Sequence, residues 1–250
     1  MDGVAQGRRR LLVLGDSLTF HGPERVEPLT EPRLWPNVAA ARMGERTGQP
    51  WAPDVVARLG WTARDAWWAL TRDPRMWSVA VPRADALVLA VGQMDQLPAA
   101  LPTWLRESIP YVRPSAVRRR VRHAYRAASP HLVRAHRGRL RMLPQGATDH
   151  YLSRILHGVR FYRPELPVVL LGPSPWGSTA YPVHATHAPA VAAARRWAAR
   201  ERVPLVELDD VVGPHLVAGR NNPDGLHWGW EVHAEVGRRV GEALEDCFPS

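Results

Sequence analysis

The sequence predicts an α/β protein of three layers (α/β/α), with helices on both faces of a central parallel sheet of about five strands. Three observations carry that prediction. Short continuous apolar runs recur along the chain, bounded by glycine, proline or aspartate, as strands buried on both faces require. Helical patterns fall between them, and strands alternating with helices close right-handed crossovers into a parallel sheet. A hydrophobic content of 45% over 250 residues suffices for one sizeable core, so residues 1–250 read as a single domain.

The first strand covers residues 10–15, where Leu11-Leu12-Val13-Leu14 runs into Gly15. Ser17 then stands just past the carboxyl end of that strand, where open α/β sheets bind their ligands. Trp35-Pro36-Asn37-Val38-Ala39 opens a helix, and Val55-Val56-Ala57 is a strand leading into Leu59-Gly60-Trp61-Thr62. A third strand over 86–91 ends in Gly92-Gln93-Met94-Asp95. Later runs predict strands at 167–171 and 203–208 and helices at 188–200 and 231–244.

Residues 97–163 are too long for a crossover and read as an inserted, basic helical lid. The segment carries Arg118, Arg119, Arg120, Arg122, Arg126, Arg134, Arg137, Arg139 and Arg141, while Val117, Val121 and Tyr125 repeat at helical spacing. Arginine grips carboxylate or phosphate through parallel N–H donors, so Arg118 and Arg122 are candidate contacts to an acidic sugar, a phosphorylated donor or a headgroup. The competing account is compositional. All 33 basic residues are arginine, and a basic helix face is often only solvated.

A serine hydroxyl becomes a nucleophile when a base takes its proton, and the base needs a third group to hold its tautomer. Ser17 in Gly15-Asp16-Ser17-Leu18 and the pair in Asp224-Gly225-Leu226-His227 supply all three parts, in the order Ser, Asp, His. Asp16 and Asp95 stand beside these blocks as candidate substrate contacts or as acceptors for loop amides. Among eleven tryptophans, Trp228 and Trp230 follow His227 and are the best placed to offer a flat apolar plate to a sugar or an acyl chain. His184 and His187, in the proline-rich stretch 174–189, read as solvated loop side chains.

Together these blocks resemble the SGNH or GDSL family of serine esterases and acyltransferases over nearly the whole chain. The resemblance implies Ser17 as nucleophile, His227 as general base and then acid, and Asp224 as its orienting partner. The predicted sheet likewise resembles the flavodoxin-like arrangement. The family's oxyanion hole implies the backbone N–H groups of Ser17 and Gly60, with an asparagine side chain as third donor. Here the chain departs from the family, which has Gly-x-Asn-Asp where this sequence carries Met94. A thioether has no hydrogen to donate, so three replacements are open: Gln93 if a bulge turns it inward, water or backbone, or a slow, specialised catalyst.

Residues 15–24, Arg33-Leu34-Trp35-Pro36-Asn37-Val38, Gly92-Gln93-Met94-Asp95 and Asn222-Pro223-Asp224-Gly225-Leu226-His227 carry a narrower resemblance, to an actinobacterial branch of that family. It implies movement of an activated medium-chain, octanoyl-like acyl group onto a hydroxyl of an acidic, glucosylglycerate-type sugar acceptor, through an acyl-Ser17 intermediate and with no cofactor. An esterase would use the same triad, and a non-catalytic module binding anionic glycan or nucleic acid would not need Ser17. The net charge of +9 comes with no nucleic-acid-binding motif, so nucleic acid is not an expected partner. No metal-ligand spacing and no glycine-rich phosphate loop appears. The sole cysteine, Cys247, forms no internal disulfide, no stretch approaches a membrane span, and Met1-Asp2-Gly3 leads into the first strand without a signal-peptide core. A cytoplasmic location is expected.

Overall fold

The computed structural model describes residues 7–248, so the lead-in at Met1-Asp2-Gly3 lies outside the described residues. Five parallel strands, β1 (Arg9–Gly15), β2 (Trp51–Ala57), β3 (Ala86–Ala90), β4 (Val168–Leu171) and β5 (Leu205–Val206), stand in the order β2-β1-β3-β4-β5. This is the flavodoxin-like order, in which the winding reverses between β1 and β3 and opens a crevice at their carboxyl ends. Among the described residues the helices are α1 (Trp35–Thr47), α2 (Ala63–Arg72), the single turn α3 (Val81–Arg83), α4 (Thr103–Ser108), α5 (Ser115–Ala135), α6 (Gln145–Tyr162), α7 (His187–Glu201), α8 (Asp209–Val217) and α9 (Trp230–Glu245).

Successive strand residues face opposite sides of a sheet, so each apolar run feeds two cores. On one face Leu11, Val13 and Val88 pack with Trp35 and Met43 of α1, Val212 of α8, and Val236 of α9. On the other, Leu12, Leu14 and Leu87 pack with Leu70 of α2, Ile155 of α6 and Trp197 of α7. Three layers result. Leu11 to Leu14 are each at most 1% exposed, and burial of such a side chain contributes about 1.5–3 kcal/mol, which anchors the strand that delivers Ser17. Pro53 is tolerated within β2 because β2 pairs only with β1, at the sheet edge.

Some expected boundaries move, the first at β2, which begins at Trp51 rather than at Val55. The last strand is only Leu205–Val206 rather than 203–208, and α8 begins at Asp209 after Glu207 and Leu208. Within the expected lid at 97–163, α6 is instead a crossover helix, because Leu152, Ile155, Leu156 and Val159 all point into the sheet-face core. The added piece is therefore α4, a 3-10 turn at Ile109–Tyr111 and α5. Only Val133 of α5 is buried, and Val117, expected on its apolar stripe, is exposed. Among the described residues no helix is long and apolar enough to cross a membrane.

Candidate active site

The chain leaves β1 at Gly15 and turns at once. A Cβ there would come within 2.0 Å of the Thr19 hydroxyl oxygen, so only glycine allows this fold-back. Asp16 caps the 3-10 turn Ser17–Thr19 by accepting from the Leu18 N–H at 2.9 Å. Ser17, 6% exposed, is thereby held at the mouth of the crevice. Asp224 and His227 arrive on the loop before α9, where Asp224 Oδ1 accepts from the N–H groups of Leu226 at 2.8 Å and His227 at 3.0 Å.

His227 Nδ1 lies 2.5 Å from Asp224 Oδ2, and His227 Nε2 lies 2.9 Å from Ser17 Oγ. An ionised carboxylate only accepts, so Nδ1 carries the hydrogen and Nε2 turns its lone pair to the serine hydroxyl. Burial opposes the Asp224 charge, yet its bonds to the two backbone N–H groups and the imidazole hold the carboxyl below its usual range. Burial pushes His227 below the ordinary histidine value, against the pull of Asp224 and with a further push from His21.

His21 carries no sequence signal for this site, but its ring stacks on His227 with centroids 3.8 Å apart and planes 16° from parallel. Its Nδ1 donates to the Gly22 carbonyl at 2.7 Å. His233 in turn donates from Nε2 to the His21 carbonyl at 3.1 Å and accepts from the Trp35 N–H at Nδ1. Burial pushes His233 down to about 4, which keeps this supporting ring neutral. The stack thus fixes the plane of the imidazole that must pass a proton.

Ser17 and His227 open onto a cavity of about 180 Å³ whose other walls include Leu59, Met94, Leu97, Trp176, Tyr181 and Leu226. These walls suit an acyl chain. Gly60 lines the same cavity with a φ of +73°, a left-handed backbone that a side chain would strain. Met94 stands on the wall as the departure from the family pattern implies, and the proposed substitute is engaged elsewhere. Gln93 lines the same cavity, but its amide donates to the Gly172 carbonyl at 2.5 Å and accepts from the Ser174 N–H at 2.5 Å, so it ties two loops together.

The other candidate contacts separate in the same way. Asp95 is 2% exposed and accepts from the Ala63 N–H at the start of α2, which fastens the loop that carries Gly60. Burial pushes its carboxyl up to about 7. Asp16 borders the cavity but is 1% exposed, and burial, with the Asp95 charge beside it, raises it likewise to about 7. Both are loop-binding groups. Trp228 is fully buried, with its indole N–H on Ser174 Oγ, and Trp230 lies under the Arg33 guanidinium at 4.0 Å rather than on the cavity wall. The tryptophan that lines the Ser17 cavity is Trp176. Arg118 donates to the Pro110 carbonyl, Arg122 is exposed, and neither lines this cavity. His187 is not a solvated loop residue, since its ring bonds both Gln96 and Asp209.

A flavodoxin-like sheet with serine, imidazole and carboxylate in hydrogen-bonded series at its switch point defines a serine-dependent acyl-transferring enzyme. The chain belongs to the GDSL-like Lipase/Acylhydrolase family, whose profile matches residues 13–234. It is 41% identical over 244 residues to the diglucosylglycerate octanoyltransferase of Mycobacterium tuberculosis, covering 97% of this chain and 95% of that one. Identity is also 41% over 243 residues to the enzyme of the same name from Mycolicibacterium hassiacum, covering 96% and 97%. In fold it is similar to a lipase/acylhydrolase from Enterococcus faecalis, with a TM-score of 0.65 at 14% identity, covering 95% of this chain and 96% of that chain. The esterase EstA from Pseudoalteromonas sp. gives 0.58 at 10% identity, covering 95% and 97%.

Proposed function

We propose that this protein moves a medium-chain, octanoyl-like acyl group from an activated donor to a sugar hydroxyl of a glucosylglycerate-type acceptor. The observation that carries this reading is the 41% identity, over nearly the full length, to two diglucosylglycerate octanoyltransferases. Residues 1–250 act as one domain with a basic insert, and the enzyme works in the cytoplasm, where activated acyl donors are made.

In this reading Ser17 Oγ attacks the donor carbonyl while His227 Nε2 takes its proton. The Ser17 and Gly60 N–H groups receive the oxyanion. The donor's leaving group departs with the proton from His227, and the acyl group stays on Ser17 as an ester. The acceptor hydroxyl then gives its proton to His227, attacks the same carbon, and releases Ser17, which takes that proton back. Apolar walls and a nucleophile only 6% exposed support transfer over hydrolysis, because water reaches the ester poorly.

The test is to incubate the protein with an activated octanoyl ester, with and without glucosylglycerate, and to follow products by mass spectrometry. Octanoylated sugar is the expected product; octanoate alone, at a rate indifferent to the acceptor, would make the protein an esterase. A second expectation concerns pH. His227 must be neutral to accept a proton, and its value is held below the ordinary 6.5, so the acid limb of kcat/KM has its midpoint below 6.5. A midpoint above 6.5, measured with p-nitrophenyl octanoate, would contradict the assignment of His227 as base.

A further inference from the structure

A second cavity, larger than the one at Ser17, lies beside it in sequence. A groove of about 560 Å³ runs along the edge strand β2 and α2, floored by Val55, Val56 and Ala57 and walled by Trp61, Trp68, Arg58 and Arg72. We propose that this groove binds the acidic sugar acceptor, with Arg58 and Arg72 holding its carboxylate. The inference rests on the acceptor class put forward above.

Three observations lead to it. The first is size: the cavity at Ser17, about 180 Å³, is below the usual range for a ligand of drug size, so an acyl chain on Ser17 would leave no room there for a glycoside. A glycosylated acceptor needs a second, roomier place. The second is position. Leu59 and Gly60 line the Ser17 cavity while their neighbours Arg58 and Trp61 line the groove, so four consecutive residues, spanning at most about 11 Å, join the two. A sugar in the groove can therefore present a hydroxyl across the Gly60 loop toward acyl-Ser17.

The third is charge. Of the acids in the groove, Asp73 is paired with Arg75, and Asp65 accepts from the Thr62 N–H and hydroxyl at the start of α2. Arg58 and Arg72 have no carboxylate partner among the described residues; each lies instead over an indole, Arg58 at 5.8 Å from Trp61 and Arg72 at 4.4 Å from Trp68. Arg64, paired with Glu107, covers Trp68 at 4.7 Å as well. A guanidinium held over an indole keeps its in-plane N–H donors for an anion, so the two rings hold Arg58 and Arg72 on the groove wall with those donors available. By contrast, Arg118 and Arg122 on α5 line neither cavity.

The experiment compares the wild-type protein, Arg58→Ala/Arg72→Ala and Arg118→Ala/Arg122→Ala with two acceptors, glucosylglycerate and its uncharged analogue glucosylglycerol. Calorimetry gives affinity, and the ratio of octanoylated sugar to free octanoate gives the fate of the acyl group. The wild-type protein is expected to prefer the acid about tenfold or more in both readouts, the scale of one charge-assisted hydrogen bond, and the Arg58/Arg72 variant to lose that preference. Both residues are exposed, so the variant keeps its fold. Preference that survives in that variant, or that vanishes only in the Arg118/Arg122 variant, overturns the groove; so does a wild-type protein that does not bind glucosylglycerate. Carboxylate-dependent binding at Arg58 and Arg72 without any transfer would support the groove and refute the transferase reading.

Discussion

Ser17→Ala is expected to lower octanoyl transfer by about 10⁶-fold and to leave no acyl group on the protein. Nucleophile and base act as a unit, so His227→Ala should cost about as much, and combining the two should add little. The geometry states why. Ser17 Oγ is 2.9 Å from His227 Nε2, and among the described residues no other hydroxyl is bonded to that nitrogen. The exchange removes one oxygen from a residue whose neighbours, Asp16 and Leu18, are fixed by the cap of the turn, so the fold should persist. Intact-mass spectrometry after quenching with octanoyl donor would show the adduct on wild-type protein alone, with thermal unfolding as the control. Transfer within tenfold of wild type, or an adduct that survives the substitution, would remove Ser17 from the mechanism.

What the sequence could announce follows from how local each feature is. The strands β1 and β3 were legible because a run buried on both faces is apolar at every position, and the triad because two short blocks carry it. Helix α2 announces itself only weakly, through Thr62 and Asp65 in a capping box, and α6 was hidden in arginine-rich surroundings although Leu152, Ile155, Leu156 and Val159 keep helical spacing. Features made by tertiary contact were not legible at all. Gln93 finds its partners 79 and 81 residues away, and those bonds, not its neighbours in sequence, decide that it is a brace. Trp228 adjoins His227 in sequence, yet the chain turns it into the core, while Trp176 comes from a distant loop to the cavity wall. His21 and His227, 206 positions apart in the chain, stack only because the loop before α9 and the Ser17 turn meet at the crevice.

Met94→Asn should accelerate acylation of Ser17 by about tenfold to a hundredfold, a share of the 100- to 1000-fold that one oxyanion donor is usually worth. Met94 already stands on the wall of the Ser17 cavity, with Ser17 and Gly60, so an amide placed there would stand where the family resemblance implies a third donor. The Gln93 amide is already held by Gly172 and Ser174. The exchange has a second consequence. Asparagine is shorter and polar, so it opens an apolar wall to water, and the acyl-enzyme should partition further toward octanoate even as it forms faster. Burst kinetics with p-nitrophenyl octanoate measure the first effect, and the ratio of octanoylated sugar to octanoate measures the second. An unchanged or lower burst rate would mean that the oxyanion is served by a donor other than the side chain at 94. A faster burst with more hydrolysis would give methionine its physical role: it gives up rate at the first step to keep water from the second.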